Sequence, residues 1–300
     1  MICVRLIGGL GNQMFQYAVG RQLSLKYGTE LIVDATYLNY IPNNNTHFVK
    51  RDYNLNIFEK KINVIDPLKM NWLPIYSNKS FQRMKHFAKK LFCLYKLVNG
   101  YRIILDHNCF QFDDRVMRSG KNAYLIGYWQ NERYFRDIEE QIRRDFRLRI
   151  DASEIPSDLV YAIENCNSVC LHVRRGDFLS NPTHGFVGND YFMRAIDYLK
   201  KRAKVDKIFV FSDDIDWCLA NLKFDLEHAF VSSRNWKGKM ATDLYLMTRC
   251  RHFIISNSTF GWWAAWLADT REKVVVSPQN WVNLAGVDAS EILPQGWVSM

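Results

Sequence analysis

The sequence predicts an α/β protein made of two domains that face one another across a cleft. The chain has 300 residues, which corresponds to about two domains of ordinary size. Apolar, strand-like runs alternate with helical patterns, most clearly in the second half, and such alternation is typical of parallel sheets covered by helices. We place the boundary so that residues 1–149 form one domain and residues 150–300 the other. Ligands are expected at the carboxyl ends of the strands.

The first half opens with a strand-turn-helix-strand unit, in which a glycine-rich turn separates an apolar strand from a helix. Residues 39–120 are less regular, because several prolines interrupt them. The predicted strands of this half are 2–7, 30–33 and 124–128, and its predicted helices are 12–27, 79–98 and 132–146.

The second half alternates regularly between strands and helices, as expected for a parallel sheet. Its predicted strands are 168–173, 208–211, 253–255 and 274–276, and its predicted helices lie near 190–202, 216–222, 240–250 and 260–268.

Basic residues exceed acidic ones and give a formal net charge of +9. This excess favours anionic partners such as nucleotides, nucleic acid or an acidic membrane surface. Much of it lies between Asp66 and Asp106, where eight Lys and Arg residues occur without any acidic residue. Segment 79–102 combines these charges with an apolar stripe, which suits an anionic membrane surface better than nucleic acid. A solvated or internally packed helix explains the same pattern.

The seven cysteines are widely spread and include no C-x-x-C pair, so neither a zinc site nor a disulfide framework is expected. The first residues run into a strand pattern without the features of a signal peptide, and no window reaches the ~18 apolar residues of a membrane span. We therefore expect a cytoplasmic protein. Peripheral attachment to the inner membrane through segment 79–102 is an open alternative.

The end of the strand at 168–173 concentrates charged side chains. His172, Arg174, Arg175 and Asp177 follow one another there. The planar guanidinium group of arginine matches phosphate oxygens, so two of them are able to neutralise a diphosphate without a metal ion. A structural Arg–Asp pair at the strand end is the simpler alternative. An adhesion tripeptide at 175–177 is disfavoured in a chain without an export signal.

A glycine-rich turn precedes the first predicted helix. Gly9 and Gly11 allow a ligand to approach the backbone at a helix N-terminus, where free N–H groups and the helix dipole favour anions. The spacing departs from the G-x-G-x-x-G pattern because Met14 takes the place of the third glycine. A ligand cradle and a tight structural turn are equal alternatives here.

A second junction of this kind lies between the strand at 253–255 and the following helix. Ser258 and Thr259 place hydroxyl groups there, which is another geometry suited to anions. Either residue also fits an ordinary helix N-cap, and one side chain is able to fill both roles.

Four strings in this order resemble the bacterial α-1,2-fucosyltransferases of glycosyltransferase family 11. They are GGLGNQMFQYAVGRQL, LHVRRGDF, VFSDD and ISNSTFGWWAAWL, and they extend across nearly the whole chain, although residues 40–120 carry none of them. The resemblance implies a GT-B-like fold of two Rossmann-type α/β domains. It also implies inverting transfer of L-fucose from GDP-β-L-fucose to the 2-hydroxyl of a terminal β-galactose, with no cofactor and no metal ion.

The resemblance also implies roles for particular residues. The first domain forms the acceptor side with part of the donor site, and the second binds GDP-fucose. Asp177 is a candidate general base, although pairing with arginine lowers the basicity of a carboxylate. The other implied roles are pyrophosphate binding by Arg174 and Arg175, guanosine contacts by His172 and Asp213, phosphate contacts by Ser258 and Thr259, and donor contacts by Asn12 in the turn formed by Gly9 and Gly11.

Two alternatives of other classes stay open. Asp214-Ile-Asp216 matches the D-x-D pattern of metal-dependent nucleotide-sugar transferases, although an aspartate there also suits the cap of the following helix. A non-enzymatic protein that binds a membrane surface or nucleic acid explains the net charge without any catalysis.

Overall fold

A computed structural model describes residues 1–39, 50–65, 97–98, 101–179, 183, 185–232 and 239–300. The strands in these parts of the chain form two sheets, and both are largely parallel. The α/β class predicted from the alternating pattern is confirmed.

The first sheet is built from residues 2–126. Its strands are β1 (Ile2–Arg5), β2 (Leu31–Asp34), β3 (Leu97–Val98), β4 (Tyr101–Leu105) and β5 (Ala123–Ile126). They follow the order β2-β1-β5-β4-β3. β1 is parallel to both of its neighbours, and β3 is antiparallel to β4.

The second sheet is built from residues 168–299. Its strands are β6 (Ser168–Val173), β7 (Lys207–Ser212), β8 (Glu227–Val231), β9 (His252–Ile255), β10 (Val275–Ser277) and β11 (Val298–Ser299). They follow the order β11-β10-β9-β6-β7-β8, and all pairs are parallel. Every residue of β6 is buried, as a central strand covered on both faces requires. The carboxyl ends of β9, β6 and β7 therefore lie side by side.

The helices in the described parts of the chain connect these strands. They are α1 (Leu10–Tyr27), α2 (Asp114–Met117), α3 (Glu139–Asp145), α4 (Ser157–Glu164), α5 (Asn189–Lys200), α6 (Ile215–Asn221), α7 (Lys239–Thr248) and α8 (Thr259–Leu267). None of these helices is long and apolar enough to cross a membrane.

A cluster of buried aromatic rings joins the two halves where α1 packs on α8. The Phe15 ring of α1 lies 4.6 Å from the Trp262 ring and 4.9 Å from the Trp263 ring, measured between centroids. Phe135 stacks on Trp263 at 5.4 Å. All four side chains are buried in one continuous core that includes residues of both sheets. This packing fixes the position of the first turn of α1 relative to α8.

The predicted elements differ from the observed ones in several places. The sequence analysis did not predict β4, β8, β11, α2 and α4. A single helix is predicted over 132–146, but the structure has two short 3-10 turns before α3, the first of them capped by the side chain of Asn131. Leu97 and Val98 are predicted to end a helix, but they form a strand paired with β4. Residues 79–96 of that helix lie outside the described residues, as does most of segment 79–102.

The connection between the sheets contains the predicted domain boundary. Leu148 forms a bridge with Phe58, and the Arg149 N–H donates to the Ile57 carbonyl at 2.7 Å, so the chain up to this point contacts the first half. β6 begins at Ser168. The boundary between residues 149 and 150 stays a prediction.

Candidate active site

The predicted site residues of the second half lie at the ends of β6, β7 and β9 or directly after them. His172 lies on β6, Asp213 follows β7, and Ser258 follows β9. Because these strands are adjacent and parallel, their carboxyl ends bring these residues to one edge of the sheet.

Arg174 lies at the contact between the two halves of the molecule. Its Nη2 donates to Oδ1 of Asp177 at 2.5 Å, and its Nη1 lies 3.1 Å from Oδ2 of Asp213. Asp177 also accepts a hydrogen bond from Nη2 of Arg51, which belongs to the first half. One quarter of the Arg174 side chain remains exposed. Arg174 is therefore held by two carboxylates but remains accessible to a ligand.

Asp177 is a poor candidate for the general base. Its partial burial opposes ionisation, but the Arg174 and Arg51 guanidiniums outweigh this effect and lower the pKa of the carboxyl group below its usual value. A carboxylate with a lowered pKa accepts a proton less readily. The role of Asp177 as a base stays a prediction that this geometry does not favour.

Arg175 has entirely different surroundings from Arg174. Its guanidinium carbon lies 3.8 Å from the centroid of the Trp217 ring and 4.5 Å from that of Phe186. Its Nε donates to Oδ2 of Asp214 at 3.0 Å, and only 11% of the side chain is exposed. The sequence predicts a pair of guanidiniums on one diphosphate, whereas the structure gives the two groups separate partners. Diphosphate binding by Arg175 stays a prediction.

The D-x-D aspartates lie at the start of α6. Asp214 caps this helix, since its Oδ1 accepts from the Trp217 N–H at 3.2 Å, and its other oxygen binds Arg175. Asp216 lies in the first turn. Across the described ranges, no three or more His, Cys, Asp or Glu side chains are arranged to hold a metal ion.

Asp213 supports the loop that carries the arginines. Its Oδ1 accepts from the backbone N–H of Arg175 at 2.9 Å. A Cβ atom added to Gly176 would lie 2.4 Å from its Oδ2, so only glycine allows this close approach. The predicted contact of Asp213 with guanosine stays a prediction.

His172 is buried beneath the loop that precedes α8. Its Nδ1 lies 3.1 Å from Oγ of Ser256, and a Cβ atom added to Gly261 would lie 2.7 Å from the same nitrogen. Burial, with a smaller contribution from the Arg174 charge, lowers the pKa of His172 from 6.5 to about 3. The imidazole is therefore neutral at physiological pH and able to make hydrogen bonds as a donor and as an acceptor.

The N-termini of α1 and α8 meet, one from each half of the molecule. A Cβ atom added to Gly11 would lie 2.5 Å from the carbonyl carbon and Oγ1 of Thr259. Nε1 of Trp263 donates to the Gly11 carbonyl at 2.9 Å. Ser258 is the N-cap residue of α8, but its side chain makes no capping hydrogen bond. Gly9 caps α1, and a Cβ atom there would meet open space. Two helix N-termini thus adjoin one another where an anion is favoured.

The buried side chain of Gln13 on α1 joins the glycine-rich turn to the segment that contains Asp52 and Asn54. Nε2 of Gln13 donates to the Gly8 carbonyl at 2.9 Å and to the Asp52 carbonyl at 2.8 Å, while its Oε1 accepts from the Asn54 N–H at 3.0 Å. Oδ1 of Asn12 accepts from Gln130 at 2.8 Å. The donor contact predicted for Asn12 stays a prediction.

Gln13 and Arg51 were both missed from the sequence. Gln13 lies in the GGLGNQMFQYAVGRQL string, so its place next to the glycines was an available signal. Arg51 lies in the 40–120 stretch, which carries none of the recognisable strings. Only the contacts in the folded chain bring Arg51 to the site.

Three arginines and three aspartates are paired with one another at this edge, among the described residues. Arg51, Arg174 and Arg175 are paired with the carboxylates of Asp177, Asp213 and Asp214. These three arginines therefore present no surplus positive charge before a ligand binds. A diphosphate has to exchange places with a carboxylate or bind to the backbone N–H groups of the helix N-termini.

Comparison with known proteins identifies the family. The model for the family described as glycosyl transferase family 11 matches residues 1–300. The alpha-1,2-colitosyltransferase of Escherichia coli is 32% identical, over 99% of this chain and 98% of that protein. Galactoside alpha-(1,2)-fucosyltransferase 1 of Rattus norvegicus is 36% identical, over 48% of this chain and 41% of that protein.

A solved structure confirms the fold. A mutant of Arabidopsis thaliana FUT1 in complex with GDP superposes with a TM-score of 0.50 at 11% identity, over 93% of this chain and 71% of that one. At this identity the likeness concerns the fold alone, which is GT-B-like as predicted. With the family model matching from end to end, the chain is a glycosyltransferase that belongs to glycosyl transferase family 11.

Proposed function

We propose that this protein transfers L-fucose from GDP-β-L-fucose to the 2-hydroxyl of a terminal β-galactose in a glycan, with inversion at the sugar carbon. The observation that carries the proposal is the position of Arg174, whose partner Asp177 also binds Arg51 of the first half and whose side chain is one quarter exposed. The related protein from rat is named as a galactoside alpha-(1,2)-fucosyltransferase, which supports the choice of sugar, acceptor and linkage.

The proposed chemistry is stabilisation of a leaving group. When the bond between fucose and phosphate breaks, GDP gains negative charge while the sugar carbon becomes oxocarbenium-like. The guanidinium of Arg174 stabilises the negative charge on GDP. The backbone N–H groups at the N-termini of α8 and α1, which are the positive ends of the helix dipoles, do the same. His172, neutral and buried, supplies hydrogen bonds to the nucleoside side of the donor.

The proposed reaction needs no metal ion. Asp214 supports this, because its two oxygens already bind the Trp217 N–H and the Arg175 side chain. We expect the transfer rate to stay the same when EDTA is added. Strong inhibition that Mn²⁺ reverses contradicts this, and assigns Asp214 and Asp216 to a metal site.

Colitose is a second candidate for the transferred sugar. It is L-fucose without the 3-hydroxyl group, and a colitosyltransferase is similar to this chain over its whole length. Incubation with GDP-fucose, with the corresponding colitose donor and with a panel of β-galactosides distinguishes the two. NMR of the product reports the sugar, the linkage and the anomeric configuration. A product from the colitose donor alone overturns the fucosyl proposal, and no product from either overturns both.

The proposed setting is the cytoplasmic face of a membrane that carries a lipid-linked acceptor. Segment 79–102 supports peripheral attachment by its sequence alone, through basic residues flanking an apolar stripe. Flotation of the protein with anionic and with neutral liposomes tests this. If the same fraction of protein floats with anionic and with neutral liposomes, segment 79–102 does not bind an anionic membrane and leaves the proposal.

A further inference from the structure

Arg51 stands out among the charged residues near the site because it comes from the first half but binds a carboxylate of the second. Its Nη2 donates to Oδ2 of Asp177, whose other oxygen accepts from Arg174. Asp177 therefore lies between two guanidiniums, one from each half. The side chains of Arg51 and Asp177 are both partly buried, with 31% and 19% of their surface exposed.

The side chain of Gln13 holds both the glycine-rich turn and the backbone that follows Arg51. Gln13, fully buried on α1, binds the carbonyl of Asp52 and the N–H of Asn54, and it also binds the carbonyl of Gly8. The backbone on the C-terminal side of Arg51 is thus tied to the first turn of α1. Arg51 is presented to Asp177 independently of Arg174.

The pairing of charges suggests what the contact of Arg51 with Asp177 does. Arg174 binds two carboxylates, so a diphosphate competes with both Asp177 and Asp213 for its guanidinium. The loss of a cation partner raises the free energy of a partly buried carboxylate. Asp177 avoids this loss because Arg51 remains bound to it when Arg174 turns to the phosphates.

We propose that Arg51 is a positioning residue of the donor site, which retains Asp177 from across the two halves and thereby releases Arg174 to bind the diphosphate of the donor. The inference rests on the proposed nucleotide donor and adds a residue that acts on it through Asp177. It predicts that removal of Arg51 leaves Asp177 as a competitor of the phosphates for Arg174.

Binding of GDP, measured by calorimetry without any acceptor, tests the inference. We expect Arg51→Gln to weaken GDP binding about 10-fold or more, the scale of one charge-assisted contact. The double variant R51Q/D177N should regain most of the affinity, because the competing carboxylate is gone. Arg51→Lys should keep it, because the charge is kept. Steady-state kinetics should show a raised KM for the donor in R51Q and an unchanged KM for the acceptor.

Arg118→Gln is the matched control. Arg118 forms an exposed ion pair with Asp114, and its carbonyl lies beside Arg102 at the start of β4, on the amino edge of the first sheet. The Arg118→Gln variant should bind GDP with the affinity of the wild type. Thermal melts establish that each variant is folded.

Two results overturn the inference while the proposed function stands. One is wild-type GDP affinity in R51Q, and the other is a double variant that binds as weakly as R51Q. The second result means that Arg51 contacts GDP itself or only fastens the two halves. A wild-type protein that does not bind GDP overturns the proposed donor, and this inference with it.

Discussion

At the scale of single residues, Arg174 and Arg175 are neighbours in sequence with different partners, so replacing each should have a different effect. Arg174→Ala should lower kcat/KM for the donor by about 10²- to 10³-fold, because it removes a cation from the departing diphosphate. The variant should still fold, because Arg51 continues to neutralise Asp177. Arg175→Ala should lower the free energy of unfolding by about 1 to 3 kcal/mol, because the guanidinium packs against the Trp217 and Phe186 rings and neutralises Asp214.

Urea unfolding and donor kinetics of both variants test this contrast. Arg118→Gln again serves as a control that removes an exposed charge. If Arg174→Ala turns over the donor almost normally, Arg174 has no part in the reaction. If Arg175→Ala is as stable as the wild type, the contacts of Arg175 with Trp217, Phe186 and Asp214 do not stabilise the fold.

The buried imidazole of His172 should make folding sensitive to acid. Its pKa is lowered from 6.5 to about 3, so below pH 6.5 the unfolded chain binds a proton that the folded protein does not bind. The charges facing it include Arg174, which disfavours the imidazolium form. Stability from this residue is complete above pH 6.5 and falls by about 1.4 kcal/mol per pH unit below it.

A His172→Gln variant isolates this effect, because glutamine does not titrate. The difference in unfolding free energy between the wild type and H172Q should shrink by about 2 kcal/mol from pH 7.5 to pH 5.0. Urea unfolding at the two pH values measures it, and the other titrating groups cancel in the difference. A difference that is constant with pH shows that His172 does not lose its proton on burial.

The residue types at the site could be predicted from the sequence, but their partners could not. Charged side chains at the end of a predicted central strand indicate a candidate site, and His172 and Arg174 were chosen as candidates in this way. Their roles stay predictions. The pairing of Asp177 with Arg51 joins positions 126 residues apart in sequence. No local pattern encodes such a contact, since it depends on how the two halves meet.

At the scale of elements, Gly11 on α1 packs closely against Thr259 on α8, so this position joins the two halves. Gly11→Ala should separate the two helix N-termini, because the new Cβ atom would lie 2.5 Å from the Thr259 carbonyl carbon. We expect a loss of about 1 to 3 kcal/mol in unfolding free energy and a large loss of transferase activity.

Gly9→Ala is the matched control two residues away. Its Cβ atom would meet open space, and its φ of −76° is allowed for alanine. Gly9 is the N-cap residue of α1, where alanine is less favourable than glycine, so this variant should lose some stability but clearly less than Gly11→Ala. Any loss of activity should appear as a raised KM for the donor. Equal stability of both variants would show that the α1–α8 contact is looser than the structure indicates. Thermal melts and donor kinetics provide the measurements.

Elements were predictable where one physical rule decided them. β6 was predicted over its whole length, because a mostly apolar run that ends at charged residues is typical of a central parallel strand. β8 was missed, since its first residues are exposed and lie at the edge of the sheet. The helix predicted over 132–146 was wrong in its first half. There the Asn131 cap and buried Tyr134 and Phe135 favour short turns over a continuous helix.

At the scale of the whole molecule, the aromatic cluster between the halves holds them together in one core. Phe15 of the first half contacts Trp262 and Trp263 of the second, and Phe135 stacks on Trp263. Arg143 of α3 extends the joint, because its Nη1 donates to the Leu267 carbonyl at 2.9 Å, at the end of α8. The two sheets are therefore expected to unfold together, although the pattern of the sequence divides them into two domains.

Urea unfolding tests whether the two halves form one cooperative unit. Far-UV circular dichroism and tryptophan fluorescence should give coincident transitions for the wild type. Phe15→Ala should move both transitions equally and cost about 3 to 5 kcal/mol, because it opens a cavity on the fully buried side of α1. Leu25→Ala, on an exposed position of the same helix, should change little. If F15A instead separates the two signals, each sheet is stable by itself. The geometry at Arg174 then depends on how two independent domains close, and no longer on a core that holds them in place.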